Sequence, residues 1–96
     1  MKLLLVIYSG SRPRLVPDLF EAHAVGGYTG FEQAHGAGAT GRREGTRAWP
    51  GGATVYFSVV PPERVDALTR ALRDEAGRLD PMERLHVAVL PTETFF

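Results

Sequence analysis

The chain has 96 residues, equal numbers of acidic and basic side chains, and no cysteine. A domain of this size buries roughly 60–65% of the surface of its unfolded chain, which is enough for one hydrophobic core. Zero net charge gives no overall attraction to a nucleic acid polymer. The lack of cysteine excludes disulfides, thiolate metal sites and thiol nucleophiles.

The first half of the chain predicts a strand, a helix and a second strand. The apolar run from Leu3 to Tyr8 is typical of a central strand; it is too short to span a membrane, and no signal-peptide cleavage pattern follows it. A short amphipathic helix fits residues 14–25 if Pro17 lies in its first turn. Gly26 and Gly27 are expected to end that helix by taking positive φ. Residues 28–35 are then the second strand.

The second half predicts a loop, a strand, a helix and a last strand. Residues 36–52 show no periodicity and are rich in glycine, which predicts a long loop. The β-branched and aromatic run Thr54–Val60 is the clearest strand signal in the chain. Apolar residues at helical spacing predict a helix between Pro61 and Gly77. The side chains of residues 85–90 alternate in character closely enough to predict a last strand.

This order of elements predicts an α+β fold of the ferredoxin-like, split βαβ type (βαββαβ). Four antiparallel strands form one sheet, both helices cover one face, and the long loop joins strands 2 and 3. Residues 1–96 then make a single domain. The other face of the sheet has no cover from the chain itself, and an apolar surface there favours an oligomer.

The glycine- and arginine-rich segment 36–52 is the predicted working surface. Residues 36–41 match G-x-G-x-x-G, but a dinucleotide site needs a helix directly after the motif, and none is predicted. Closely spaced glycines let backbone N–H groups converge on an anion, and guanidinium groups pair with two phosphate or carboxylate oxygens at once. The segment therefore predicts an anion-binding loop, with a solvated loop that binds nothing as the alternative. The candidate ligand contacts in it are Gly36, Gly38, Thr40, Arg42, Arg43 and Arg47.

Histidine offers a second, metal-binding hypothesis. His35 stands beside the loop glycines and could form a weak metal site with Glu32 or Glu21. The sequence contains no H-E-x-x-H spacing and no G-x-S-x-G nucleophile motif. We therefore assign no catalytic residue and no metal ligand, and we expect that the protein is not an enzyme.

Three short motifs together carry a resemblance to a known family. They are the leading strand Lys2–Tyr8, the residues Gly26-Gly27-Tyr28-Thr29 after the first helix, and Gly36-Ala37-Gly38 at the start of the long loop. With the strand–helix–strand that follows, the chain resembles the PII signal-transduction superfamily (which includes the CutA-like proteins), specifically its divergent PII-like members. In PII proteins a glycine–apolar–threonine turn and a G-x-G at the base of the long "T-loop" line a nucleotide cleft.

The resemblance implies a homotrimer that binds ligands in clefts between subunits. Thr29 would approach a base or a sugar, and Gly36 and Gly38 would give backbone contacts to phosphates. The implied ligand is an adenine nucleotide, and no cofactor is required. Residues 36–52 would act as the T-loop and signal to a protein partner, a transporter or an enzyme. The expected location is the cytoplasm.

Two departures from the best-known PII proteins limit what is implied. The loop lacks the glutamine that those proteins use for 2-oxoglutarate, and residues 77–81 do not reproduce their glycine-rich phosphate loop. A smaller nucleotide, another anion or no small ligand at all therefore stays open. CutA-like relatives of this fold are associated with metal tolerance, which keeps His35 as the alternative.

Overall fold

The computed structural model describes residues 1–38, 41–43 and 52–96. The main sheet is antiparallel with strand order β2-β5-β1-β6, so the predicted four-stranded ferredoxin-like arrangement is confirmed. None of the helices described is long and apolar enough to cross a membrane. The elements are β1 (Lys2–Ser9), α1 (Leu15–Ala22), β2 (Thr29–Ala34), β3 (Gly36–Gly38), β4 (Gly41–Arg43), β5 (Ala53–Val60), α2 (Pro62–Ala76) and β6 (Arg84–Pro91).

Buried and half-buried side chains alternate along the central strands β1 and β5, so the sheet has one face covered by the helices and one face that they do not cover. In β1, Leu4 and Val6 are fully buried while Leu5 between them is only half-buried, as expected for side chains that alternate across a pleated strand. Both helices pack on the same side, because their apolar residues join one cluster with the buried strand residues. That cluster comprises Leu4, Val6, Tyr8, Tyr56, Val60 and Leu85 from the sheet and Leu15, Val16, Phe20, Leu68 and Leu72 from the helices.

The second face is apolar, and neither helix covers it. Leu5 lies opposite Phe57 of β5, and Ile7 lies opposite Val55 in the same register. Phe31 of β2 is 57% exposed, and its ring lies 5.8 Å from that of Phe57. An exposed apolar surface of this kind is typical of interaction sites. We call it the open face; by strand register its apolar residues are Leu3, Leu5, Ile7, Phe31, Val55, Phe57, Val59, Ala88 and Leu90.

The first helix ends earlier, and by a different turn, than predicted. The left-handed residue is Ala24, with φ of 56°, whereas neither Gly26 nor Gly27 has positive φ. The prediction that these glycines end the helix in this way is therefore wrong. The Val25 N–H donates to the Phe20 carbonyl at 2.9 Å, a bond that closes the helix around a left-handed residue before the chain reaches the glycines.

The beginning of the predicted loop is a small hairpin rather than irregular chain. β3 and β4 pair in antiparallel fashion, with Gly36 opposite Arg43 and Ala37 opposite Arg42. The sequence did not reveal these strands because glycine and alanine carry no alternating side-chain pattern. Residues 39–40 and 44–51 lie outside the described residues.

A buried carboxylate ties the turn after β1 to the segment before β6. Glu83 is only 6% exposed. Its Oε2 accepts hydrogen bonds from the Ser11 N–H at 2.9 Å and from the Ser11 and Tyr8 hydroxyls at 3.3 Å each. Its Oε1 accepts from the Asp80 N–H at 3.2 Å, and the Tyr8 hydroxyl accepts from the Arg12 N–H at 3.0 Å. The bond from the Ser11 N–H, foremost among these, holds the pKa of the Glu83 carboxyl below its usual value.

Replacing Glu83 with glutamine should lower the free energy of unfolding at pH 7 by about 1–3 kcal/mol, because buried donors lose a charged acceptor. Since folding lowers the pKa of this carboxyl from its ordinary 4.5, the contribution is present above that pH. It is lost as the pH falls through the folded value. Urea unfolding of both proteins at pH 7 and in acid measures this change. Glu93→Gln in the exposed tail is the control, and equal stability of wild type and Glu83→Gln at pH 7 would contradict the assignment.

Candidate functional site

Thr29, predicted to approach a base or a sugar, is the first residue of β2 and is exposed. It lies opposite Phe57 and lines a groove of about 520 Å³ at the end of the sheet where β2 begins and β5 ends. Leu3 and Val59 also line this groove. Since both belong to the open face, the groove is continuous with that surface. We call it the Thr29 groove.

The turn between α1 and β2, which forms one wall of the groove, is held by its neighbours. The Ser58 hydroxyl donates to the Gly27 carbonyl at 2.7 Å. The Tyr28 ring lies 5.3 Å from the ring of Phe20 and 5.8 Å from that of Tyr56, with the ring planes inclined to each other. Such inclined aromatic contacts stabilise a fixed arrangement. The backbone of this wall is therefore positioned without help from any ligand.

Gly26 and Gly27 lie at positions where the described fold of one copy does not require glycine. Neither has positive φ, and a Cβ added to either would meet nothing within 4 Å. Glycine at such a position increases the conformational entropy of the unfolded chain without relieving strain in the folded one. Close approach of a ligand or a second copy to the backbone is the remaining steric use of a missing side chain.

Arg64 gives the groove its charge. Of the described residues that line the groove, it is the only charged one. It projects from the first turn of α2, and its guanidinium donates to the Ala24 carbonyl. Within the described ranges it forms no ion pair. Sequence reasoning missed this residue, because an arginine in an amphipathic helix is typical of a solvated surface.

The other half of the predicted site lies at the far end of β2. Gly36 and Gly38 begin the β3–β4 hairpin after the strand has run from Thr29 to Ala34. At about 3.3 Å per strand residue, Thr29 and Gly36 are on the order of 20 Å apart. Within the described residues, a single copy therefore does not bring Thr29 together with Gly36 and Gly38.

The hairpin places arginines beside the loop glycines along the backbone. Arg43 lies opposite Gly36, and Arg42 lies opposite Ala37. Because the motif continues as a strand and not as a helix, Gly36–Gly38 does not have the geometry of a dinucleotide fingerprint. The ligand-binding roles of Arg42 and Arg43 stay predictions. So do those of Thr40 and Arg47, which lie outside the described residues.

Metal-binding side chains do not cluster in the part of the chain that the structure describes. No group of three or more histidine, aspartate or glutamate side chains there is arranged to hold a metal ion. His35 is exposed between β2 and β3. No observation thus favours the metal-binding alternative.

Known proteins were compared with the chain at the level of sequence and of structure. No family model and no curated protein matches it. CPII from Thiomonas intermedia K12, a nitrogen regulatory PII-like protein bound to ADP, AMP and bicarbonate, superposes with a TM-score of 0.72. The two are 23% identical over 93% of this chain and 86% of that one. The chain has a PII-like fold. The apo form of CPII superposes with a TM-score of 0.63 at 19% identity, over 93% of this chain and 89% of that one.

The PII-like fold confirms the resemblance inferred from three short motifs. The Thr29 groove follows the first helix, and the β3–β4 hairpin begins the connection between the second and third strands of the main sheet. Thr29 and the glycines Gly36 and Gly38, which the resemblance assigns to a ligand site, lie in these two features. Their contacts with a ligand stay predictions.

Gly27→Ala should leave the free energy of unfolding unchanged or raise it by up to about 1 kcal/mol, because its φ is not positive and the new Cβ points into open space. Gly52→Ala is the contrasting variant, since Gly52 has φ of 64° and a Cβ there would lie 2.9 Å from the Ala34 carbonyl oxygen. Urea unfolding at several protein concentrations separates folding from assembly. A concentration-independent loss of stability in Gly27→Ala would contradict this description of the turn.

Proposed function

We propose that the protein is a non-catalytic PII-like regulator that binds an adenine nucleotide, or a similar small anion, between the copies of a homotrimer. The observation that carries the proposal is the Thr29 groove, which combines a preformed glycine turn with one cationic side chain and is continuous with the uncovered apolar face. Solved structures of CPII, which has a similar fold, contain ADP and AMP, and this supports a nucleotide as the ligand.

The open face supports the trimer. An uncovered apolar sheet favours association, and most soluble homo-oligomers have closed symmetry, of which a ring of three copies is one form. Phe95 lines the Thr29 groove and is 62% exposed, so the apolar surface extends from the sheet onto the tail. A second copy seated on the open face would supply the missing outer wall of the groove.

Two copies would also unite the separated halves of the site. In a closed ring, each copy can offer its Thr29 groove to one neighbour and its hairpin to the other. The base or sugar would then lie against Thr29 of one copy. The phosphates would meet backbone N–H groups of Gly36 and Gly38 from the next copy. The proposed charge balance comes from Arg42, Arg43 and Arg47 of that copy.

Segment 36–52 is the proposed route from ligand to partner. It begins at the glycines assigned to the phosphates, so ligand binding acts directly on the base of this segment. A protein partner, which is a transporter or an enzyme, would bind segment 36–52 differently with and without the ligand. The cytoplasmic location remains part of this proposal.

A thermal-shift series with AMP, ADP and ATP tests the proposal. A nucleotide at about one hundred times its dissociation constant should add roughly 2.7 kcal/mol of stability, which is several degrees for a domain of this size. The double variant Arg42→Ala with Arg47→Ala should abolish the shift. Phe57→Glu should turn the trimer into a monomer in light scattering and lose the shift as well. Ala67→Glu, on the exposed side of α2, is the control that should do neither.

The same series separates the alternatives. A rise in melting temperature with copper, zinc or nickel, and with no nucleotide, would favour the metal-binding hypothesis over the regulator. No shift with any compound would leave an interaction module without a small ligand. Either result would overturn the nucleotide proposal.

A further inference from the structure

Arg64 is the one charged side chain in the described lining of an otherwise neutral groove. The surfaces around it are of two kinds, apolar side chains of the open face and the hydroxyl and backbone groups of the α1–β2 turn. No carboxylate shares the groove with it in the ranges that the structure covers. The apolar lining residues are Leu3, Phe57 and Val59 of the open face together with Pro61 and Phe95, and the lining residues that carry hydroxyls are Tyr28, Thr29 and Ser58 of β5.

The guanidinium of Arg64 is held in place but has hydrogen-bonding capacity left. A guanidinium has five N–H donors, accepts nothing and does not lose its proton in proteins. One bond goes to the Ala24 carbonyl, and that bond fixes the side chain at the junction of α1 and α2. The side chain lies at an exposed position, so water serves the remaining donors while the groove is open.

Filling the groove would take that water away. Covering a charged group is unfavourable unless the covering molecule supplies a counter-charge or hydrogen-bond acceptors. The described lining supplies no acidic group to do so. Since the described residues of one copy supply no counter-charge, a bound ligand that carries its own is favoured.

We infer that Arg64 binds an oxyanion of the molecule that fills the Thr29 groove, and that this contact makes the groove select phosphorylated or carboxylated ligands over neutral ones. The inference rests on the proposed function and adds to it a specificity-determining residue. Guanidinium groups suit this task because their paired N–H donors match two oxygens of one anion. The oxyanion is either a phosphate of the nucleotide, held at the boundary between the copies by Arg64 of one and the loop glycines of the next, or a separate small anion such as bicarbonate.

Calorimetry with AMP and with adenosine, each with and without bicarbonate, tests the inference. Arg64→Gln should weaken AMP binding at least tenfold, as the loss of a charge-assisted hydrogen bond does, and should leave the weaker adenosine binding nearly unchanged. Arg64→Lys should recover part of the AMP affinity. Arg70→Gln removes an exposed arginine from the same helix but outside the groove, and it should change neither ligand. A tenfold effect on AMP without bicarbonate identifies the nucleotide phosphate as the anion, whereas an effect that requires bicarbonate identifies the separate anion.

Three results would overturn the role of Arg64. The first is equal weakening of AMP and adenosine by Arg64→Gln, which would indicate only the structural contact with Ala24. The second is an equal effect of Arg64→Gln and Arg70→Gln, which would indicate unspecific electrostatics. The third is AMP binding by Arg64→Gln that matches wild type.

Failure of the proposed function gives a different pattern. In that case wild type binds neither AMP nor ADP. Titration with bicarbonate and with inorganic phosphate then tests whether Arg64 binds an oxyanion without a nucleotide. Oxyanion binding that Arg64→Gln loses and Arg70→Gln keeps supports Arg64 without a nucleotide. No oxyanion binding by wild type, or binding that Arg64→Gln retains, overturns the inference as well.

Discussion

One sheet with two apolar faces is the constraint on which the rest of this structure depends. The described part of the chain contains two helices, and both pack on the same face around Leu68, Leu72 and Phe20. The open face, on which the rings of Phe57 and Phe31 are in contact, is covered by neither of them. Burial of apolar surface is the main favourable term in folding and in association alike, so the force that builds the core also favours contact between copies.

A neighbouring copy or a ligand would explain all the features of the Thr29 groove together, whereas the described residues of one copy explain none of them. Gly26 and Gly27 leave space that no side chain of the described fold fills. Arg64 is held by a backbone carbonyl yet has no acidic partner in the described ranges, and the groove merges with the open face through Leu3 and Val59. A cleft between copies gives each of these features a use.

The strand and helix order could be predicted from the sequence because it depends on local signals. The run from Thr54 to Val60 and the helical spacing of Leu68 and Leu72 each specify an element without reference to the rest of the chain, and Pro17 lies in the first turn of α1 as its missing N–H requires. The Tyr8–Glu83 contact joins residues 75 positions apart, so no local sequence pattern predicts it. The left-handed turn falls on Ala24 and not on a glycine, and Arg64 lines the Thr29 groove only because α2 begins beside that turn.

The crystal structure of the full chain with saturating ADP tests the central claim, that the ligand cleft is shared between copies, most directly. We expect three copies packed through their open faces, with each ADP in contact with Thr29 of one copy and with the backbone of Gly36 and Gly38 of the next. ADP bound within a single copy, or an assembly that leaves Phe57 and Phe31 in solvent, would contradict it.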